Sequence, residues 1–203
     1  MRVAGKVVLI TGAGLGLGRA LAKALAAQGA IIAANDLTPI NLDEVVAEIR
    51  AAGGQAIAYE HDVSKKLDLQ GLVMAVLDDH ERIDILINHA SVQPHMPLLD
   101  MDEWDWRRAM DVILTGTFLT TQSVARVMRE QGGGVILNIG AADGENRSGQ
   151  RAAYLAAKAG VLAFSRAAAD ELAPYGIRML EMETRRDELD AGVAEALRLL
   201  GAA

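Results

Sequence analysis

Apolar positions along this chain follow two alternating patterns. Short runs in which nearly every position is apolar occur at VVLIT (7–11), AIIAAN (30–35), AIAYE (56–60), IDILIN (83–88), GVILNI (134–139) and GIRML (176–180). Their length and β-branched content read as strands. Between them, segments near 17–28, 41–52, 67–80, 103–131 and 152–173 carry apolar residues at helical spacing. Glycines close several of these helices: Gly29, Gly53–Gly54 and Gly132–Gly134. Strand–helix alternation predicts an α/β fold, a doubly wound parallel sheet with helices on both faces. Strands that are apolar throughout fit a sheet covered on both sides. The last stretch predicts one amphipathic helix over about 186–200, with Leu189, Val193, Leu197 and Leu200 in register. No strand pattern follows it. No repeat or linker divides the chain, so one domain over 1–203 is expected, with a core over 3–180.

Composition narrows the class. Of 203 residues, 51% are hydrophobic and only 3% aromatic, which suits helices packed on a sheet of small branched side chains. The formal charge of −7 argues against a nucleic-acid surface, which needs a basic face. The chain has no cysteine, which removes disulfides, thiolate catalysis and cysteine-ligated metals. No apolar run reaches the roughly 18–20 residues of a membrane helix, and the start lacks a signal-peptide pattern. A cytoplasmic protein with no membrane partner is the expectation.

The first strand runs into TGAGLGLG, residues 11–18, and a helix pattern follows. Glycines there permit a tight turn and close backbone approach to a pyrophosphate, and the helix N-terminus offers free N–H groups. The same pattern without a ligand is simply a tight turn. Asp36 ends the second strand, twenty residues beyond Gly16. A carboxylate there can accept from ribose hydroxyls and repels a 2′-phosphate, which favours NAD over NADP. Its plainer role is to open the loop before a helix that Thr38 or Asn41 could cap.

With these residues placed, the sequence resembles the short-chain dehydrogenase/reductase family. Thr11, Gly12, Gly16 and Gly18 match its TGxxxGxG signature, with Gly14 and Leu15 inside the turn. Asp62–Val63 match the pair that meets the adenine ring. Asn88 and Ala90 partly match NNAG, which reads NHAS here, and Tyr154 and Lys158 match YxxxK. The resemblance implies a Rossmann-type fold, an NAD cofactor held by these thirteen positions, and a catalytic pair, Tyr154 and Lys158. In the family the tyrosine exchanges a proton with the substrate oxygen as hydride moves to or from the nicotinamide. A free tyrosine titrates at about 10, and a nearby ammonium favours its phenolate. Four residues along a helix place Lys158 on the same face. The implied substrate is a small ketone, a secondary alcohol or a 3-oxoacyl thioester.

Three departures qualify the resemblance. The serine position, thirteen residues before the tyrosine, holds Ala141, and its neighbour holds Gly140. The asparagine of a VNLTG-like segment is Ile113, with Asp111 two residues away on another side of the helix. After GIRML the substrate-covering segment and last strand of the family are missing, with Thr184 and Arg185 near the usual Pro-Gly pair. The chain is thus read as a shortened, atypical member. It is either an oxidoreductase, weakly active, or a catalytically impaired NAD-binding module or partner subunit. A scaffold that binds no nucleotide is the third and weakest alternative, opposed by the intact glycine turn and Asp36. Ser148 stands six residues before Tyr154, on the wrong side of the loop to replace the serine. His89 and His95 follow the fourth strand, where a histidine either donates to a carbonyl oxygen or merely packs. His61 reads as surface, and no cluster shows metal-ligand spacing. EWDWRRAMD (103–111) reads as helix packing or a subunit contact, ENRSGQR (145–151) as a polar loop, and Arg185–Arg186 as a solvated helix start. Family helices like 103–131 and 152–173 pair between subunits, so a homodimer or larger homo-oligomer is expected.

Overall fold

Every residue of strand β1 (Val7–Thr11) is buried, which requires cover on both faces of the sheet. Its side chains alternate accordingly. Val8 and Ile10 enter one core with Leu21, Leu25, Val45 and Ile49. Val7 and Leu9 enter the other with Leu69, Leu72, Val124 and Met128. The computed structural model describes residues 3–141, 150–184 and 188–202.

The remaining strands are β2 (Ile31–Asp36), β3 (Gln55–Glu60), β4 (Ile85–Asn88), β5 (Gly134–Ala141) and β6 (Ile177–Thr184). They form one parallel sheet in the order β3-β2-β1-β4-β5-β6. Helices α1 (Gly16–Ala27), α2 (Pro39–Ala51) and α7 (Leu189–Leu200) supply one core. Helices α3 (Lys66–His80) and α5 (Gly116–Gln131) supply the other, joined by the end of α6 (Ala152–Leu172). Chain direction across the sheet reverses between β1 and β4. In such folds ligands bind outside the carboxyl ends of the strands at that point.

The structure refines three sequence expectations. The helix predicted over 103–131 is continuous over those bounds, with Met110–Thr115 wound as a π-helical turn between α4 (Glu103–Ala109) and α5. Asp102 caps α4 by accepting from the Asp105 amide at 2.8 Å. Strand β6 runs on to Thr184 because the added residues pair in register with β5 up to Ala141. At the start of α2, Thr38 occupies the cap position without a side-chain hydrogen bond. Asp36 shapes the approach to the helix, accepting from the Leu37 and Thr38 amides at 2.8 and 3.2 Å.

At the opposite end of the sheet, Asp84 is only 7% exposed. It accepts from the Val7 amide, Lys6 Nζ and the Arg82 guanidinium, all within 3.0 Å. These partners hold its carboxyl below the usual range although burial alone would raise it. Among the described residues, no helix is long and apolar enough to cross a membrane.

Candidate active site

The turn from β1 into α1 is glycine-rich because its atoms leave no room for side chains. A Cβ on Gly18 would lie 2.1 Å from the Gly12 carbonyl oxygen, and one on Gly12 would lie 2.8 Å from Ala90 Cα. Gly16 instead needs its glycine for a φ of +55°, with open space around it. Leu15 occupies the cap position of α1 with no side-chain bond, so its first-turn amides have no capping side chain. This is the geometry of an anion cradle.

Thr11 ties the turn to the end of β4. Its Oγ1 accepts from the amides of His89 and Ala90 at 3.1 and 3.2 Å. Asn88, 4% exposed, donates through Nδ2 to Thr121 Oγ1 and Asn138 Oδ1. Asn138 in turn donates to Ser165 Oγ at 2.8 Å. Thr11, Asn88, Asn138 and Glu181 stand in one register row across the sheet. The Asn88 side chain is therefore engaged within this buried row, and its Oδ1 is left without a partner.

Asp36 sits where β2 ends, its Oδ2 accepting from the Gly14 amide at 2.8 Å. A Cβ on Gly14 would lie 2.9 Å from that oxygen and 3.1 Å from Asn41 Cβ. With Leu37 and Thr38 donating to Oδ1, three N–H groups share a carboxylate that offers about four lone-pair sites. Capacity remains for one further donor on Oδ2. Behind it, Asn35 holds β2 to β3 by donating to the Tyr59 and His61 carbonyls. Asp62 accepts from Ser64, its own amide donates to Asp68, and Val63 beside it is buried. His61 is no free surface group, for its Nδ1 lies 2.7 Å from Asp68 Oδ1.

Tyr154 and Lys158 lie one turn apart on α6. Tyr154 is half-buried and packs beside Ile113, Ala153 and Ala157. Lys158 is 4% exposed, and its Nζ donates to the Ile139 carbonyl at 2.7 Å. Burial without a countercharge lowers its pKa to about 8. His89 lies between this lysine and the glycine turn. Its Nδ1 is 3.0 Å from the Gly12 carbonyl. Although part of its surface is accessible, the ring is packed closely, and burial followed by the Lys158 charge lowers its pKa to about 4.

The departures have distinct physical forms. Ala141 ends β5 and is half-buried, so its position simply lacks a hydroxyl. At Gly140 the space is taken, since a Cβ would lie 2.6 Å from Leu162 Cδ2. Ile113 is fully buried with Ala109, Ala157 and Val161, and its carbonyl accepts from Thr117 Oγ1 at 2.6 Å. Asp111 is exposed and does not stand in for it. Ser148, Gly144, most of the ENRSGQR segment and Arg185–Arg186 lie outside the described residues. Among the described residues no group of histidines and carboxylates could hold a metal. The sequence pointed to the turn, Asp36 and the Tyr–Lys pair, but gave no sign of the bond from His89 to Gly12.

A parallel sheet whose order reverses beside a glycine turn defines the doubly wound dinucleotide-binding class. Within it, the chain belongs to the short-chain dehydrogenase family, whose model matches residues 6–184. This is a family of oxidoreductases that use nicotinamide cofactors. A 3-oxoacyl-[acyl-carrier-protein] reductase from Synechocystis sp. is 41% identical over 173 residues, covering 85% of this chain and 70% of the relative. A solved NAD+-bound xylitol dehydrogenase superposes with a TM-score of 0.85 at 34% identity, covering 90% of this chain and 71% of that one. A metagenomic short-chain oxidoreductase in complex with NADP reaches 0.90 at 30% identity, covering 100% of this chain and 93% of that one.

Proposed function

We propose that this protein is an NAD(H)-dependent oxidoreductase acting on a ketone, a secondary alcohol or a 3-oxoacyl-type substrate. The observation that carries the reading is the alignment of Tyr154 with the buried Lys158 on one face of α6, at the sheet end that bears the glycine turn. The turn at Gly12–Gly18 would hold the pyrophosphate, and Asp62–Val63 the adenine side. The remaining acceptor capacity of Asp36 would take a ribose hydroxyl. Its charge disfavours a 2′-phosphate. Leu15, Leu37 and Ile40, its neighbours in the turn and at the start of α2, are exposed and uncharged, so they provide nothing to pair with that phosphate.

When bound, the nicotinamide supplies or accepts the hydride. Tyr154 gives the proton to the substrate oxygen in reduction and takes it in oxidation. The Lys158 ammonium, turned inward by its bond to Ile139, stabilises the phenolate. Titration calorimetry with NADH and then NADPH tests the cofactor half. Micromolar NADH binding with much weaker NADPH supports it, and Asp36→Ala should narrow the difference. Binding of neither would sink the reading.

A catalytically impaired NAD-binding subunit is the second reading, favoured by Ala141 and the buried Ile113. One positioned donor contributes ~10² to 10³ in turnover, so Ala141→Ser separates the two. A rise in kcat of tenfold or more on a carbonyl substrate indicates an enzyme working without its serine. No activity in either form favours the binding module. We also propose a homodimer through α5 and α6, where Phe118, 41% exposed, meets Phe164 edge-on. Light scattering of the purified protein checks it.

A further inference from the structure

We infer that His89 is a positioning residue of the cofactor cradle, a neutral imidazole that fixes the glycine turn to the end of β4. The inference rests on the reading that this turn binds a dinucleotide.

Three observations meet at this side chain. Its Nδ1 lies 3.0 Å from the Gly12 carbonyl. A carbonyl only accepts, so Nδ1 carries the hydrogen, and in the uncharged ring that burial favours Nε2 is then the bare nitrogen. The ring also lies hard against the turn. A Cβ on Gly18 would come 2.7 Å from Nδ1, and one on Gly12 would come 3.0 Å from it. Two of the turn's glycines therefore make room for this imidazole. Finally, residue 89 is held from behind, because its backbone amide donates to Thr11 Oγ1. Backbone and side chain of one residue thus clasp consecutive residues of β1 and its turn.

The charges around the ring explain why it stays neutral. Burial and then the Lys158 charge oppose a second proton, and together they outweigh the Gly12 carbonyl and the Asp36 charge, which favour one. The hydrogen bond to Gly12 keeps the same form throughout the neutral pH range. Its effect is preorganisation: the turn amides are set before a pyrophosphate arrives, so less ordering is left to binding.

An asparagine can replace the imidazole, because its amide nitrogen reaches about as far as Nδ1 and also donates. Leucine fills the space without donating. NADH affinity and thermal midpoint are measured for wild type, His89→Asn and His89→Leu, each as the full chain. Expected are wild-type affinity in His89→Asn and a loss of about tenfold in His89→Leu at a similar thermal midpoint. Equal affinity in all three overturns the positioning role while leaving NAD binding intact. An affinity loss in both variants that tracks a fall in midpoint overturns it too, since the residue is then merely structural. Absence of NADH binding by the wild type overturns the cofactor reading and this inference with it. Should His89→Leu fail to fold, nitrogen NMR of the wild-type histidines decides: hydrogen on Nδ1 with bare Nε2 supports the role, and hydrogen on Nε2 alone overturns it.

Discussion

Lys158 shows how one residue's setting becomes a measurable pH effect. Its ammonium is buried, with a carbonyl rather than a carboxylate as partner, and titrates near 8 against about 10.4 in an unfolded chain. Between these values the unfolded state binds more protons, so stability rises with pH across that window. Below it, the folded protein carries the full cost of a buried charge, on the order of 3 kcal/mol. Replacing Lys158 with methionine removes the charge and keeps most of the volume. The variant should be more stable than wild type at pH 7, with the gap closing toward pH 10, in urea unfolding at each pH. It should also lose all turnover. A stability gap independent of pH would mean that Lys158 does not titrate in this range. The lysine and its spacing from Tyr154 are plain in the sequence. Its bond to Ile139 and the contact from His89 to Gly12, 77 residues away in the chain, are made only by folding.

Among elements, the β1–α1 turn separates two uses of glycine that look identical in sequence. Gly18 is needed for space, Gly16 for its backbone angle. Gly18→Ala should therefore destabilise the protein by about 2 kcal/mol or more and abolish NADH binding. Gly16→Ala should cost about 1 kcal/mol and weaken binding only partly. Urea midpoints and calorimetry on both variants check the contrast, and equal costs would refute it. The six strands described and their order of appearance were legible, because the buried stretches of parallel strands are largely apolar. Two features were not. MDVILT (110–115) contains ordinary helix residues, so nothing in its local sequence marks the π-helical turn; within it, Ile113 packs against Ala157 and Val161 of α6. The extension of β6 through Glu181 and Glu183 was hidden by their charge. Glu181 is accommodated by Arg166 at 2.8 Å and Glu183 by exposure.

At the scale of the whole molecule, one cluster of charges lies at the sheet end opposite the candidate site. The Lys6–Asp84–Arg82 group lies at the amino ends of β1 and β4, remote from the glycine turn. Asp84→Ala leaves the buried Val7 amide without its acceptor while the more exposed Lys6 and Arg82 can turn to solvent, and should cost about 1 to 3 kcal/mol. NADH affinity should be unchanged. Asp84 titrates below its unfolded value, so its contribution is present above about pH 4 and fades as pH falls through the folded value. Urea unfolding of wild type and variant from pH 7 downward checks the sign, because the two curves should converge in acid. The order β3-β2-β1-β4-β5-β6 has one more consequence, in the rates at which parts of the protein open. Strands β1 and β4 have a hydrogen-bonded neighbour on each side, so their amides should exchange with solvent only through global unfolding. Among the described residues strand β6 pairs only with β5, and its amides should exchange sooner through local fraying. Hydrogen–deuterium exchange should therefore show a slow centre at β1 and β4, beneath the glycine turn, between two faster edges, β3 and β6. Change at the β6 edge, from Ile177 onward, can then accumulate while the centre of the sheet stays folded.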